Sequence, residues 1–250
     1  MRIRRRLIVV LTTAATTVSL GVAVTPAEAA SRTVIGREVI GYSVKHRPIV
    51  AYHLGDPRST RTAVILGQMH GDERAGVRVA KALLRGRAVT GLNLWVIPTM
   101  NPDGYARNTR QNARGVDLNR NFPYRWARLT GMHYSGKRAL DQPESRAMYR
   151  FLAKVQPRYM ASLHQPLAGV DSTDGGRIDR GFRNRLAKNL ALPVKAFRCW
   201  SECHGSMTRW YTHKRYGAAV TVEFGTRPSA ARLAKAPAAI VRAMGGRIVG

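Results

Sequence analysis

The chain has 250 residues, 44% of them hydrophobic, enough to bury a sizeable core in one large domain with at most a short extension. Its two cysteines, Cys199 and Cys203, are too few for a disulfide framework. A formal net charge of +28, spread through the chain without a polybasic tail, concentrates polyanions at the surface.

The first 29 residues read as a secretory signal. Arg2, Arg4, Arg5 and Arg6 form a basic start, a Thr-rich apolar run follows from Leu7 to Val24, and Ala27-Glu28-Ala29 offers a small-residue cleavage site. The Thr content and the cleavage site speak against a membrane anchor, and no later stretch is long and apolar enough to span a bilayer. Residues 30–250 are then expected to form a secreted, soluble domain, in a compartment where Cys199 and Cys203 could pair. Removing residues 1–29, with four Arg and one Glu, lowers the charge by three to +25. For an exported protein of this charge an anionic cell envelope is the natural candidate partner. Nucleic acid comes second, with no sequence-specific binding expected. The competing explanation is solubility in an Arg-rich composition.

Beyond residue 32 strands and helices alternate. Ile49–Leu54 reads as an early strand before the turn Gly55-Asp56-Pro57. Ala63–Leu66 is a continuous apolar run of the kind buried on both faces. From Ala75 the segment AGVRVAKALLRG carries Val77, Ala80 and Leu84 on one helical face. Leu92–Ile97 is a second buried strand, ended by Pro98. Ser145–Val155 is helical, introduced by Pro143-Glu144. Tyr159–Leu163 is a strand, Ile178–Leu190 a helix, and Ala218–Phe224 a strand rich in β-branched residues. Ala230–Met244 is an Ala-rich helix that Pro237 should start or kink. This alternation argues an α/β sandwich with a mixed, mostly parallel sheet. Function in such sheets gathers at the carboxyl ends of strands.

Three titratable side chains fall at such ends. His70 follows Ala63–Leu66, His164 follows Tyr159–Leu163, and Glu223 lies near the end of the last strand. A hydrolytic Zn²⁺ takes three protein ligands and keeps one position open for water. His70 and Glu73, three apart at a turn into a helix, can reach one ion, and His164 suits the third place. Such an ion lowers the pKa of water toward ~7. A carboxylate outside the ligand set must then take the proton, and Glu223, an acid in an apolar strand, is the candidate. His70-x-x-Glu73 alone is a weak signal, because such pairs are common as structural polar turns.

The stretch NPDGYARNTRQNARGVDLNRNFP, Asn101 to Pro123, strengthens it. Together with HGDE at His70–Glu73 it resembles the zinc carboxypeptidase family, of the carboxypeptidase A type, and most of all its murein peptide amidase branch. H-x-x-E after a strand, NPDG, an Arg-bearing loop ending in N-R-N-F, a His at a strand end and a Glu on a late strand all occur in the family's order. Ile40–Ile49 resembles the family's opening strand motif, Asp141–Ala147 its Pro-Glu helix start, and Trp210 precedes Glu223 by thirteen residues, a spacing similar to the family's. The resemblance covers about residues 38 to 243. It implies a three-layer α/β/α sandwich and one Zn²⁺ per chain held by His70, Glu73 and His164. It also implies Glu223 as general base and then proton donor to the leaving amine. Asn119 and Arg120 would grip the free C-terminal carboxylate of a peptide substrate, a task suited to the planar guanidinium fork. Arg110, with Arg107 as rival, would polarise the scissile carbonyl.

Three departures from the family pattern stand out. No large pro-domain fits between the signal and the opening motif, so activation by propeptide removal is not expected. The family's substrate-covering Tyr has no clear match in AFRCWSECHGSMTRW, with Tyr211 and Tyr216 out of register. The pocket for the end residue's side chain falls near Met207 or Thr208, with no acid there to select Lys or Arg. Asp103 and Asp117 read as turn and loop hydrogen-bonders. His46, His53, His133, His204 and His213 read as surface or core residues, His204 being the most suspect for its place beside the Cys loop. The expected activity is hydrolysis of the C-terminal amide bond of peptides, either of murein or of ordinary sequence. A reading of another class is a polyanion-binding cell-wall protein on a catalytically dead peptidase fold, motivated by charge alone.

Overall fold

In the computed structural model, which describes residues 33–171, 177–197 and 203–249, the apolar runs become the centre of a seven-stranded sheet. The strands are β1 (Val34–Tyr42), β2 (Pro48–Gly55), β3 (Thr62–Leu66), β5 (Asn93–Ile97), β6 (Tyr159–His164), β7 (Leu167–Asp171) and β8 (Ala218–Gly225), while β4 (Val89–Thr90) pairs with β9 (Arg247–Ile248) apart. The order is β1-β2-β5-β3-β6-β8-β7. The four inner strands β5, β3, β6 and β8 are mutually parallel. Antiparallel pairings close both flanks, β1 and β2 on one side and β7 on the other. The inner strands are the most apolar segments because both their faces are covered.

Each face packs its own core. Ile65, Leu163, Val220 and Val222 lie against α1 (Ala75–Arg85), α4 (Arg177–Leu190) and α6 (Ala230–Ala243). Val64, Leu66, Met160 and Ala219 lie against α3 (Pro143–Val155) and α5 (Met207–His213). The result is the expected α/β/α layering. Successive side chains on a strand alternate between faces, so Ser162 and His164 share the face of Met160, and Thr221 and Glu223 share that of Ala219. His164 and Glu223 therefore open toward the α3/α5 layer.

Some local expectations shift. Leu83, not Leu84, carries the buried edge of α1. Pro237 neither starts nor interrupts α6, which runs through it and begins at Ser229, whose side chain accepts the Arg232 N–H at 3.2 Å. The short elements β7, α5 and α2 (Pro102–Arg107) carry too few residues to show a period and emerge only in the tertiary structure. Among the described residues no helix is long and apolar enough to cross a membrane. The expected signal, residues 1–29, lies outside the described residues, as does Cys199. Cys203 is disulfide-bonded.

Candidate active site

The HGDE and NPDG motifs form one unit. The Asn101 side chain accepts the Gly104 N–H at 2.9 Å, capping α2, and its amide donates to the Met69 carbonyl at 3.1 Å and the Arg110 carbonyl at 3.3 Å. One amide thus ties the loop before His70 to the loop that carries Arg110. The loops touch so closely that a Cβ on Gly71 would come within 2.0 Å of the Gly104 carbonyl carbon. Gln68 adds a donor to the Gly71 carbonyl at 3.0 Å. Backbone packing at this density leaves His70 and Glu73 little freedom.

His70, Glu73 and His164 are all buried, and one ligand atom from each lies within 4.8 Å of the others. His70 Nδ1 is 2.8 Å from Glu73 Oε1, and His164 Nδ1 is 2.9 Å from Glu73 Oε2. Both Nδ1 atoms therefore face the same carboxylate. The opposite nitrogens are engaged elsewhere, His70 Nε2 with Asp117 Oδ1 at 3.0 Å and His164 Nε2 with Ser162 Oγ at 3.0 Å. Two imidazoles and a carboxylate, converging and anchored from behind, fit the donor chemistry of Zn²⁺. Burial opposes charge on His70, but the Glu73 and Asp117 carboxylates outweigh it and push the ring up to about 9. Burial likewise opposes charge on Glu73, and the two imidazoles outweigh it and hold the carboxyl far below the usual range. A site that draws this much positive charge to one carboxylate is suited to a cation.

Asp117 does more than the expected turn duty. It accepts the Asn119 N–H at 2.9 Å, as a turn residue would. It also receives the His70 ring and, on Oδ2, Arg110 Nη2 at 2.8 Å and Nε at 3.1 Å. His133 Nδ1 approaches the same oxygen at 3.3 Å, so this histidine, expected at the surface or in the core, borders the site. The sequence signal for Asp117 was its place two residues before Asn119, whereas nothing in the sequence marks His133. Arg110 also lies 3.4 Å from Glu73 Oε1. Its rival Arg107 ends on the exposed side of α2 and donates to the Asn112 carbonyl at 3.1 Å. The geometry brings Arg110, and not Arg107, to the group of His70, Glu73 and His164.

Glu223 is the register partner of His164 on the adjacent parallel strand. Its Oε2 accepts the Leu167 N–H at 3.2 Å, which holds one oxygen of the carboxylate in place. Burial, the largest effect, raises its pKa above the ordinary carboxylate value. Glu73 adds to this, while His164 works against it. A carboxylate so raised is a better proton acceptor than a solvated one.

Asn119 and Arg120 lie on a single 3-10 turn, Leu118–Arg120, capped by Asp117. Asn119 Oδ1 accepts the Met207 N–H at 3.1 Å, joining this turn to the start of α5. Arg120 Nη1 donates to the Asn119 carbonyl at 2.9 Å. Gly205 holds the strand of loop beyond them. Its carbonyl accepts the Phe122 N–H at 2.8 Å, its φ is +67°, and a Cβ there would lie 2.3 Å from the Arg120 carbonyl oxygen. Tyr211 is fully buried with its hydroxyl on the Pro157 carbonyl at 2.6 Å, so it is not the substrate-covering Tyr. Tyr216 packs edge-on against it. His204 donates from Nδ1 to the Arg125 carbonyl at 2.8 Å, a loop contact.

A family model described as zinc carboxypeptidase matches residues 28–166, a span that holds His70, Glu73, Arg110, Asn119, Arg120 and His164. Murein peptide amidase A of Escherichia coli strain K12 is 31% identical over 173 residues, 64% of this chain and 69% of that protein. The protein of that name from Vibrio campbellii is 33% identical over 168 residues, 62% and 66% of the two chains. Among solved structures, the murein-tripeptide amidase from Escherichia coli O157 superposes with a TM-score of 0.66 at 26% identity, covering 84% of this chain and 90% of that one. The carboxypeptidase A of Helicoverpa armigera gives a TM-score of 0.70 at 15% identity over 85% and 67%, a likeness of fold.

Proposed function

Because the chain belongs to the zinc carboxypeptidase family, a family of zinc-dependent peptide hydrolases, we propose that it removes the C-terminal residue of murein-type peptides outside the cell. The observation that carries this is the convergence of His70, Glu73 and His164 with Glu223 beside them on the next strand. Zn²⁺ held by the three ligands supplies a Lewis acid for water and the scissile carbonyl. Glu223 takes the proton of the attacking water and delivers it to the leaving amine. Its raised affinity for protons suits both halves of that transfer. Arg110, fixed by Asp117 and Glu73, turns its remaining donors to the oxygen where negative charge develops. Asn119 and Arg120 hold the substrate's free carboxylate at the α5 end of the site.

Murein as the source of peptide is supported by the similarity to murein peptide amidases, by the leader-like first 29 residues and by the charge of +28. A cationic groove beginning at Gly225, two residues past Glu223, and lined by Lys195, Arg227 and Arg232, suits an anionic envelope. The test uses zinc-loaded protein against murein tripeptide and against peptides ending in Phe or Leu, with zinc per chain measured alongside. About one zinc per chain and cleavage of the tripeptide are expected. Cleavage of the Phe and Leu peptides alone would defeat the murein assignment. No cleavage of any peptide by the zinc-bound chain would defeat the peptidase reading and leave a binding protein on an inactive fold.

A further inference from the structure

The backbone ladders that join the three strands of the site stop at its floor. The β3–β6 ladder ends at the pair Leu66 and Ser162, and the β6–β8 ladder at the pair His164 and Glu223. Past these rungs β3 runs into the HGDE loop and α1, and β8 leaves through Gly225 and Thr226. One side chain continues the connection. Gln165, the residue after His164, accepts the Ala75 N–H on Oε1 at 2.8 Å. Its Nε2 donates to the Gly225 carbonyl at 3.2 Å and to the Thr226 carbonyl at 3.1 Å. Ala75 is two residues past Glu73, and Gly225 two past Glu223. A primary amide carries a carbonyl acceptor and two N–H donors, so it can hold both neighbours at once.

The two ends of this clamp differ in stiffness. The Ala75 end is fixed by backbone packing: a Cβ on Gly76 would lie 1.9 Å from the Gly67 carbonyl oxygen and 2.7 Å from Leu163 Cβ. The Ala75 N–H belongs to the first turn of α1, where a helix has no acceptor of its own, and Arg74 before it makes no side-chain cap. Gln165 supplies that acceptor, and with Oε1 so held its amino group turns to β8. The β8 end is packed more loosely. A Cβ on Gly225 would meet only Ala168 Cβ, at 3.8 Å, and Thr226 is exposed beyond the strand.

We propose that Gln165 is a positioning residue that sets the place of Glu223 relative to His70, Glu73 and His164. The proposal rests on the peptidase reading above and adds to it a residue that acts through Glu223. The tightly packed HGDE side is the fixed reference, and the Gln165 amide carries its position across to the end of β8. When the amide is lost, backbone packing still holds His70 and Glu73, while the Glu223 end of β8 gains freedom. A displacement of about 1 Å at a reacting group costs on the order of 10²-fold in rate. The loss is therefore read in kcat and not in zinc content. Substrate affinity is spared as well, because Asn119 is tied to Met207 at the start of α5 and not to Gln165.

The experiment uses two substitutions in two backgrounds. Gln165→Met keeps the length of the side chain and removes its hydrogen bonds. Gln165→Glu keeps an acceptor for the Ala75 N–H and sets a carboxylate oxygen against the Gly225 and Thr226 carbonyls. Each is made in wild type and in Glu223→Gln, and kcat, KM and zinc per chain are measured on a peptide that the wild type cuts. In wild type each is expected to lower kcat by about 10- to 100-fold, with KM within about threefold and zinc unchanged. In Glu223→Gln the same substitutions should change the residual rate by less than about threefold, because residues that act as a unit are not additive. An unchanged kcat, an equal factor in both backgrounds, or loss of zinc overturns the assignment. If Gln165→Met does not fold, Gln165→Glu decides by the same readouts. A zinc-bound wild type that cuts no peptide overturns the peptidase reading as well, whereas a cutting wild type with indifferent variants overturns only the role of Gln165.

Discussion

His70 Nε2 donates to Asp117 Oδ1 at 3.0 Å. An ionised carboxylate only accepts, so Nε2 carries a hydrogen, and Nδ1, turned to Glu73 and His164, is the nitrogen that would give up its proton to a metal. Asp117 thereby chooses which lone pair of His70 meets a metal. It also fixes Arg110 through its second oxygen.

Asp117→Asn should therefore weaken zinc binding by about 10- to 100-fold. Competition with a chromogenic chelator measures this directly. Unchanged zinc affinity would mean that the packing of the HGDE loop alone orients His70.

Glu223→Gln should retain one zinc per chain and lose about 10²–10⁴ in kcat, because the side chain stands beside the ligand set without belonging to it. Metal analysis and steady-state kinetics on one preparation check both halves. Loss of the metal together with activity would show Glu223 to be a ligand.

Arg110→Ala should lower kcat by about 10²–10³. Arg107→Ala should leave it within a few-fold, since Arg107 ends on the Asn112 carbonyl at the exposed side of α2. The reverse ranking would return Arg107 to the oxyanion role.

Glu144 gives a pH dependence of stability away from the metal ligands. It is fully buried, accepting the Val44 N–H and the Asn112 amide at 3.0 Å each, and burial raises its pKa above 4.5, with a smaller push from Asp103. The folded state then binds this proton more tightly than the unfolded one. Between 4.5 and the raised folded value stability falls as pH rises, and below 4.5 the loss is absent. Glu144→Gln should remove this component. Denaturant melts of wild type and variant across pH 4 to 7 should show the wild type losing stability relative to the variant as pH increases. Parallel curves would refute it.

Much of this protein was legible as a sequence. Ala63–Leu66 is apolar without interruption, and Leu92–Ile97, Tyr159–Leu163 and Ala218–Phe224 are mostly apolar, because strands covered on both faces have no solvent side to mark. They predicted the four parallel inner strands almost to the residue. His70, His164 and Glu223 were legible because each falls at or just past the carboxyl end of such a strand, and Glu73 by its spacing from His70, a weak signal that the family resemblance strengthened. Asn119 and Arg120 were legible only through the resemblance of the DLNRNF loop to the zinc carboxypeptidase pattern. What tertiary structure alone decided are the relations between segments distant in the chain. Asn101 ties two loops by its amide, Arg110 rather than Arg107 turns to the ligands, and His133 comes round to Asp117. The strand β7 is a further case, five residues after Pro166 with no periodicity to announce it and Asp171 at its end. Only the antiparallel register of β7 on β8 sets Asp171 opposite Thr221. Local composition determines which segments become strands, but which residues face one another across a sheet depends on pairing partners and register, and those arise from packing of the whole chain.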